Sequence, residues 1–256
     1  MYSVLQNKAN IQLRSKPFPY FIIDNALPND LYQKLDKEFP DYEKIIKNNP
    51  GFSDFKENTA YRYNASQSLA DNTISQDWIN FISYHTSSKF TDELFEIFSE
   101  PIKDIYKVGK EGLPNESNTG VRFKDNSFFM TDCQFVINTP TTGETTVIEP
   151  HLDNPKELYA ALLYLKEPDD DSTGGSLTTH AFKDQPSFYG KSRVREEKVN
   201  LIEEIEYKPN RLAVFLNSPL SIHGVTKRSK TNYFRKYINI IGEFHTELFD
   251  FRPFLE

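Results

Sequence analysis

The chain has 256 residues, of which 38% are apolar, 14% aromatic and 26% charged, enough to bury one sizeable core, alone or with a helical appendage. A net charge of -7 spread along the sequence leaves no basic face for nucleic acid, and the single cysteine, Cys133, excludes an intramolecular disulfide. No window approaches the ~20 apolar residues of a membrane span and residues 1–8 carry no signal-peptide core, so no membrane partner and a cytoplasmic location are expected.

Residues 17–24 (PFPYFIID) are dense in β-formers and predict a strand, followed by a helix entry at Ala26-Leu27-Pro28-Asn29-Asp30. Leu27, Leu31, Leu35 and Phe39 recur every four residues, which gives the helix one buried stripe and leaves Gln33, Lys34, Lys37 and Glu38 to solvent. Between residues 41 and 72 that periodicity dissolves into a polar segment carrying Phe52, Phe55, Tyr61 and Tyr63. It reads either as a lid over a substrate or as a surface loop pinned by its aromatics. Ile79, Ile82, Leu94, Phe95 and Phe98 then predict two helices broken near Thr86-Ser87-Ser88, and residues 110–119 form a loop rich in turn residues. That loop separates an N-terminal strand and helical support, 1–119, from a core, 120–256, within one structural domain.

After the loop come eight short β runs, 127–138, 145–151, 158–166, 175–182, 199–207, 211–216, 220–225 and 233–244. Their spacing, and the turns at Pro168–Gly175 and Lys208-Pro209-Asn210, predict a mainly β chain with flanking helices (α+β), its core an antiparallel sandwich or jelly roll with a mouth able to hold a small ligand. At that mouth the sequence offers Glu149-Pro150-His151-Leu152-Asp153-Asn154-Pro155. In extended backbone, side chains two apart point the same way, so His151 and Asp153 can hold two corners of a metal. His223, in Ser221-Ile222-His223-Gly224-Val225, supplies a third. Two histidines and one carboxylate with open positions are the ligand set of non-heme Fe(II) oxygenases. Taken singly, His151 could be a satisfied turn histidine and Asp153 the start of an Asx turn.

Six blocks in order, His151-Leu152-Asp153-Asn154-Pro155, Leu162-Leu163-Tyr164-Leu165-Lys166, Gly174-Gly175-Ser176-Leu177, Arg211-Leu212-Ala213-Val214-Phe215, Ile222-His223-Gly224-Val225 and Arg235-Lys236-Tyr237-Ile238-Asn239, carry a resemblance. Over residues 128–244 the chain resembles the iron(II)- and 2-oxoglutarate-dependent dioxygenases, in their prolyl-hydroxylase-like branch. The resemblance implies a double-stranded β-helix with iron at its mouth, ligands His151, Asp153 and His223, 2-oxoglutarate and O2 as cosubstrates, and ascorbate as a stimulant. It also implies hydroxylation of a C–H bond of a peptide, an amino acid or another small molecule. Because Asp153 is a carboxylate, no coordination site is left for chloride, and halogenation is not expected.

The distal carboxylate of 2-oxoglutarate needs a cation that can fork onto it. Arg235 opens the last strand and would face inward with Tyr237, Asn239 and Ile241 at period two. Arg228 and Lys230 are its rivals, in a polar turn where charges are usually solvated. Tyr164 matches a family position whose hydroxyl bonds the same carboxylate, and equally reads as a core tyrosine; Asn239 is a weaker candidate of that kind. Gln134 and Asn138 face either the cosubstrate or solvent, Cys133 reads as a buried small residue, and His180 and His245 fall in no matching block. The alternative is a cupin-like metal protein or a non-catalytic jelly-roll binding module, neither of which needs Arg235 and Tyr164 to converge on the metal.

Overall fold

The computed structural model describes residues 2–8, 11–49, 56–105 and 114–256. Residues 51–55, with two of the aromatics of the lid segment, and residues 110–113 of the boundary loop lie outside them. Strand β1 (Tyr20–Asp24) and helix α1 (Asn29–Lys37) open the fold as the β-formers and the four-residue stripe predict. The 41–72 segment carries more regular structure than its composition suggests: α2 (Tyr42–Lys47), β2 (Ala60–Tyr63) and α3 (Ala65–Ala70). These elements are too short for a hydrophobic period to register, and local caps set them. The Asp41 side chain accepts from Glu43 N, and Asn64 and Gln67 form a reciprocal capping box. Because β2 pairs with the central strand β4 (Phe129–Asn138), residues 60–63 are wall and not loop.

Helices α4 (Gln76–His85), α5 (Ser88–Ile97) and α6 (Ser99–Ile105) follow. The break between α4 and α5 falls where Thr86 Oγ1 bonds Ile82 O at 2.8 Å and Ser87 Oγ bonds Tyr84 O at 2.6 Å, hydroxyls sharing end carbonyls that also accept the Thr86 and Ser87 backbone N–H groups.

The remaining strands are β3 (Thr119–Val121), β5 (Glu157–Tyr164), β6 (Leu177–Phe182), β7 (Val199–Ile205), β8 (Arg211–Leu216), β9 (His223–Val225) and β10 (Arg235–Phe244). They form two sheets, a large one in the order β1-β8-β5-β10-β4-β2 with β3 alongside β4, and a small one in the order β7-β6-β9. The expected run at 145–151 is not a regular strand. It joins the edge of the small sheet through the bridges Thr145↔Arg228 and His151↔His223. Two residues explain the lapse: Thr146 Oγ1 bonds the carbonyls of Ile148 and Val225, and Pro150 has no N–H to give. With that edge included, the architecture is a double-stranded β-helix, mainly β with flanking helices.

The two faces of the large sheet have opposite characters. On its outer face Cys133, Phe135, Ile137, Ile238, Ile240, Leu163 and Val214 share one core with Leu35, Trp78, Phe81 and Leu94 of the helices. The Trp78 and Phe135 rings meet edge to face at 4.7 Å, and Trp78 Nε1 donates to Leu35 O at 3.0 Å. Burial of each such large side chain contributes on the order of 1.5–3 kcal/mol, which is how the helices hold the sheet flat against them. On the inner face, cross-strand partners line up as Asn138, Arg235 and Ala60, then Tyr237 and Tyr164, then Gln134, Asn239, Leu162 and Ala213. That inner row is polar at its β4–β10 end, where the site lies.

Candidate metal and cosubstrate site

His151 and His223 are held side by side by a reciprocal backbone pair, His151 N to His223 O at 2.8 Å and His223 N to His151 O at 3.1 Å. His151 Nδ1 lies 3.0 Å from Glu149 O and His223 Nδ1 lies 2.9 Å from Ser221 O. A carbonyl can only accept, so each Nδ1 carries its proton and each Nε2 presents a lone pair. Asp153 faces both, with Oδ1 3.4 Å from His151 Nε2 and Oδ2 3.4 Å from His223 Nε2. The three donor atoms lie within 4.8 Å of one another.

Nitrogen and oxygen ligands about 2.1 Å from a common ion stand about 3 Å apart at right angles and farther at wider angles, so this donor set fits one first-row divalent ion. Electrostatics agree. Burial alone would push the Asp153 carboxyl up, but the two imidazoles outweigh it and hold the group well below the usual carboxylate range. Burial pushes His223 down, and the Asp153 carboxylate reverses this, leaving the imidazole above its ordinary value. The pocket wants positive charge opposite Asp153, which an ion or a proton can supply.

Arg235 is 3% exposed. Its Nε donates to Gly175 O at 2.7 Å and its Nη1 to Asn138 Oδ1 at 2.9 Å, while Cζ lies 5.3, 5.1 and 4.6 Å from the ring centres of Tyr164, Tyr207 and Tyr237. All of these partners are neutral, and among the described residues no carboxylate pairs with it. A buried guanidinium without a counterion is costly unless an anion arrives. Around it are two further buried polar atoms without partners, the Tyr164 hydroxyl and Asn138 Nδ2. Burial pushes the Tyr164 phenol up, more than Arg235 draws it down, so it stays protonated and can donate. Gly175 makes the approach feasible: its φ of +70° suits glycine, and a Cβ there would stand 3.1 Å from Arg235 Cδ.

A cavity of about 380 Å³ joins these parts, lined by His151, Asp153, His223, Arg235, Tyr237 and Asn239, with Ala160, Leu162, Leu177 and Phe215 as apolar wall. Tyr164 lies beside Arg235 and is not on that wall, whereas Asn239 is, with Oδ1 unpartnered. Asn138 faces inward, bracing Arg235, and Gln134 is also buried. The rivals differ from expectation in one respect. Lys230 is exposed, but Arg228 is 1% exposed and already paired, with Nη2 3.2 Å from Asp170 Oδ2 and Nε 3.2 Å from Ser172 Oγ. The turn folds back over Arg228 because Asp170, from the acidic 169–171 run, follows it inside.

His180 bonds Thr178 Oγ1 at 2.8 Å and is not on the cavity wall, and His245 is exposed. Cys133 points into the helix-facing core, where burial pushes its thiol far up. Tyr207 lies beside Arg235 without being marked in the sequence, whereas Gly175 falls in one of the six blocks. Tyr207 continues the alternation of β7 past Ile205, and its hydroxyl is fixed by Lys236 N at 3.0 Å.

No protein-family model and no curated protein matches the chain. Several solved structures are similar to it. A prolyl 4-hydroxylase of Pseudomonas putida is 15% identical with a TM-score of 0.45, over 95% of this chain and 98% of that one. The dioxygenase for auxin oxidation 1 from Arabidopsis thaliana, a complex with 2-oxoglutarate, is 14% identical with a TM-score of 0.49, over 93% and 88%. A prolyl 4-hydroxylase from Phytophthora capsici is 14% identical with a TM-score of 0.48; 88% of this chain is covered, and it spans 59% of that chain. Residue roles do not pass across these likenesses and rest on the geometry of this chain.

Proposed function

We propose that the protein is an iron(II)- and 2-oxoglutarate-dependent dioxygenase, prolyl-hydroxylase-like, that hydroxylates a C–H bond of a peptide, an amino acid or another small molecule. The observation that carries this reading is Arg235, a buried cation without a counterion in the same cavity as the His151, Asp153 and His223 donors. His151 Nε2, the Asp153 carboxylate and His223 Nε2 would hold the ion, and Arg235, with the Tyr164 hydroxyl and Asn138 Nδ2 beside it, would take the distal carboxylate of 2-oxoglutarate. Asn239 on the cavity wall is the further candidate for that cosubstrate. Iron with 2-oxoglutarate supplies dioxygen activation, the cosubstrate leaving as succinate and CO2. The chain's own part is to orient both reactants and to keep water out with Leu162, Leu177 and Phe215. A cupin-like or non-catalytic jelly roll would leave Arg235 without a partner.

With a carboxylate at 153 the expected product gains one oxygen; a chlorinated product from the intact triad in chloride buffer would contradict this. No helix among the described residues is long and apolar enough to cross a membrane. The test is metal-dependent release of succinate from 2-oxoglutarate under air, with ascorbate as reductant. Wild type should release it and His223→Ala should not; a wild-type protein that binds Fe(II) yet releases none defeats the proposal.

A further inference from the structure

A second cavity, of about 530 Å³, opens on the other side of Asp153 and Asn239, which line both spaces. Its wall carries charges of both signs. Glu157 comes from the start of β5, Gln134 from β4, Arg62 from β2 and Arg122 from the turn after β3, and Phe123 and Ile241 are its main apolar surfaces.

The acceptors are in excess on one side. Gln134 is 4% exposed and its Nε2 donates to Asp132 Oδ2 at 2.6 Å, which fixes the amide so that Oε1 faces the other way, buried and without a partner. The Glu157 carboxyl makes no hydrogen bond among the described residues. Its nearest cation, Arg122 Nη2, is 3.9 Å away, because that guanidinium is engaged by Glu243 Oε1 at 3.0 Å. Glu157 and Glu243 therefore share Arg122, which stands closer to Glu243. Burial, and then the Asp153 carboxylate, pushes the Glu157 carboxyl up to about 8, and a ligand bearing N–H donors and a positive charge would draw it back to the carboxylate and engage both Glu157 and Gln134 Oε1.

Arg62 supplies the opposite charge at the rim of the same space. Its backbone is tied to Asn49, but its guanidinium has no hydrogen bond or ion pair among the described residues, and it lines both cavities. It sits on the inward face of β2, opposite Val136 of β4, with Tyr61 and Tyr63 turned into the core. That guanidinium is exposed to solvent and within electrostatic reach of Glu157, and it is the cation a carboxylate entering this cavity would meet.

We propose that this cavity takes a free amino acid, its ammonium received by Glu157 and Gln134 Oε1 and its carboxylate by Arg62, with the side chain left to meet the metal beside Asp153. An internal residue of a peptide presents neutral amides at both ends and would leave Glu157 and Arg62 unanswered. A simple amine would make no use of Arg62. The cavity size is within the range of small-ligand sites. This inference rests on the dioxygenase reading above, which supplies the reaction at that metal.

The test uses the anaerobic protein with Fe(II) and 2-oxoglutarate, titrated by calorimetry with the protein amino acids, each as the free acid, the N-acetyl derivative and the amide, and with short prolyl peptides. At least one free amino acid should bind, and blocking either end should weaken it by roughly ten- to a hundredfold, the loss of one charge-assisted contact. Arg62→Ala should weaken the free acid by a similar factor while barely changing its amide, and Glu157→Gln should weaken the free acid while barely changing its N-acetyl form. Blocked forms or peptides binding as well as the free acid, or no free amino acid binding at all, would overturn it. The visible band of iron-chelated 2-oxoglutarate in the same sample reports on the dioxygenase reading separately: band present with no amino acid bound defeats only this inference, and band absent defeats the reading beneath it.

Discussion

Arg235 and Arg228 are both buried arginines near the C-terminal end of the chain, and their counterions separate them. Arg228 has Asp170 at 3.2 Å, whereas Arg235 has only a carbonyl, an amide oxygen and three tyrosine rings. Removing Arg235 should therefore take away a ligand contact, and removing Arg228 should strand a buried carboxylate. Arg235→Ala is expected to raise the 2-oxoglutarate requirement on the order of a hundredfold, ~2–3 kcal/mol, with iron binding nearly unchanged. Arg228→Ala is expected to lower stability by ~3–5 kcal/mol in denaturant unfolding. The reverse pattern would move the anchor to Arg228. The convergence of His151 and Asp153 was readable because they are two apart in extended backbone, a spacing that survives whatever the rest of the chain does. Arg235 was readable from strand alternation. Arg62 and Tyr207 were not, because a four-residue strand in a polar segment and a residue past a strand end give no period, while the alternation of β4 left Gln134 open between cosubstrate and solvent.

Helix α4 carries a buried histidine with a structural task. His85 Nδ1 donates to Phe81 O at 2.8 Å, and its Nε2 accepts from Val4 N at 3.1 Å, so the neutral ring clasps the N-terminal segment to the helix. Burial pushes its pKa down to about 3. The sign follows: below about 6.5 the unfolded chain takes a proton that the folded chain refuses until pH about 3. Stability due to this group is thus present above pH 6.5 and is lost as pH falls, at about 1.4 kcal/mol per pH unit. Asp132 and Glu243, whose carboxyls burial pushes up, act in the opposite direction, so the comparison must be between variants. His85→Gln should flatten the fall in unfolding free energy between pH 6.5 and 4.5 relative to wild type; an unchanged slope would contradict the clasp. At this scale most strands and helices follow from hydrophobic period, and the exceptions have local causes. Residues 145–151 lose their ladder to Thr146 and Pro150, and 41–72 gains three short elements from caps.

Across the whole molecule, one face of the large sheet binds the helices and the other forms the site, so packing and chemistry share the same strands. Gly242 marks the tightness of that arrangement: a Cβ would stand 2.4 Å from Tyr159 Cε1, inside the helix-facing core. Gly242→Ala should cost ~1–3 kcal/mol in denaturant unfolding, while an unchanged midpoint would show slack in the core. Metal binding is tied to pH through His223. In the metal-free protein its raised pKa means that the His223–Asp153 pair contributes stability below about 6.5, lost as pH rises through the raised value. An ion must displace that proton, so its affinity and the stabilisation it confers increase over the same interval. The gap in melting temperature between metal-loaded and metal-free protein should widen from pH 6 to 8; a gap that narrows would contradict the donor assignment. The most direct measurement is an anaerobic titration of the metal-free protein with Fe(II) and then 2-oxoglutarate, followed in the visible spectrum. A weak charge-transfer band that saturates at one iron per chain, is absent from His223→Ala and needs far more 2-oxoglutarate in Arg235→Ala is the expected result. No band from wild type at saturating iron and 2-oxoglutarate would contradict it.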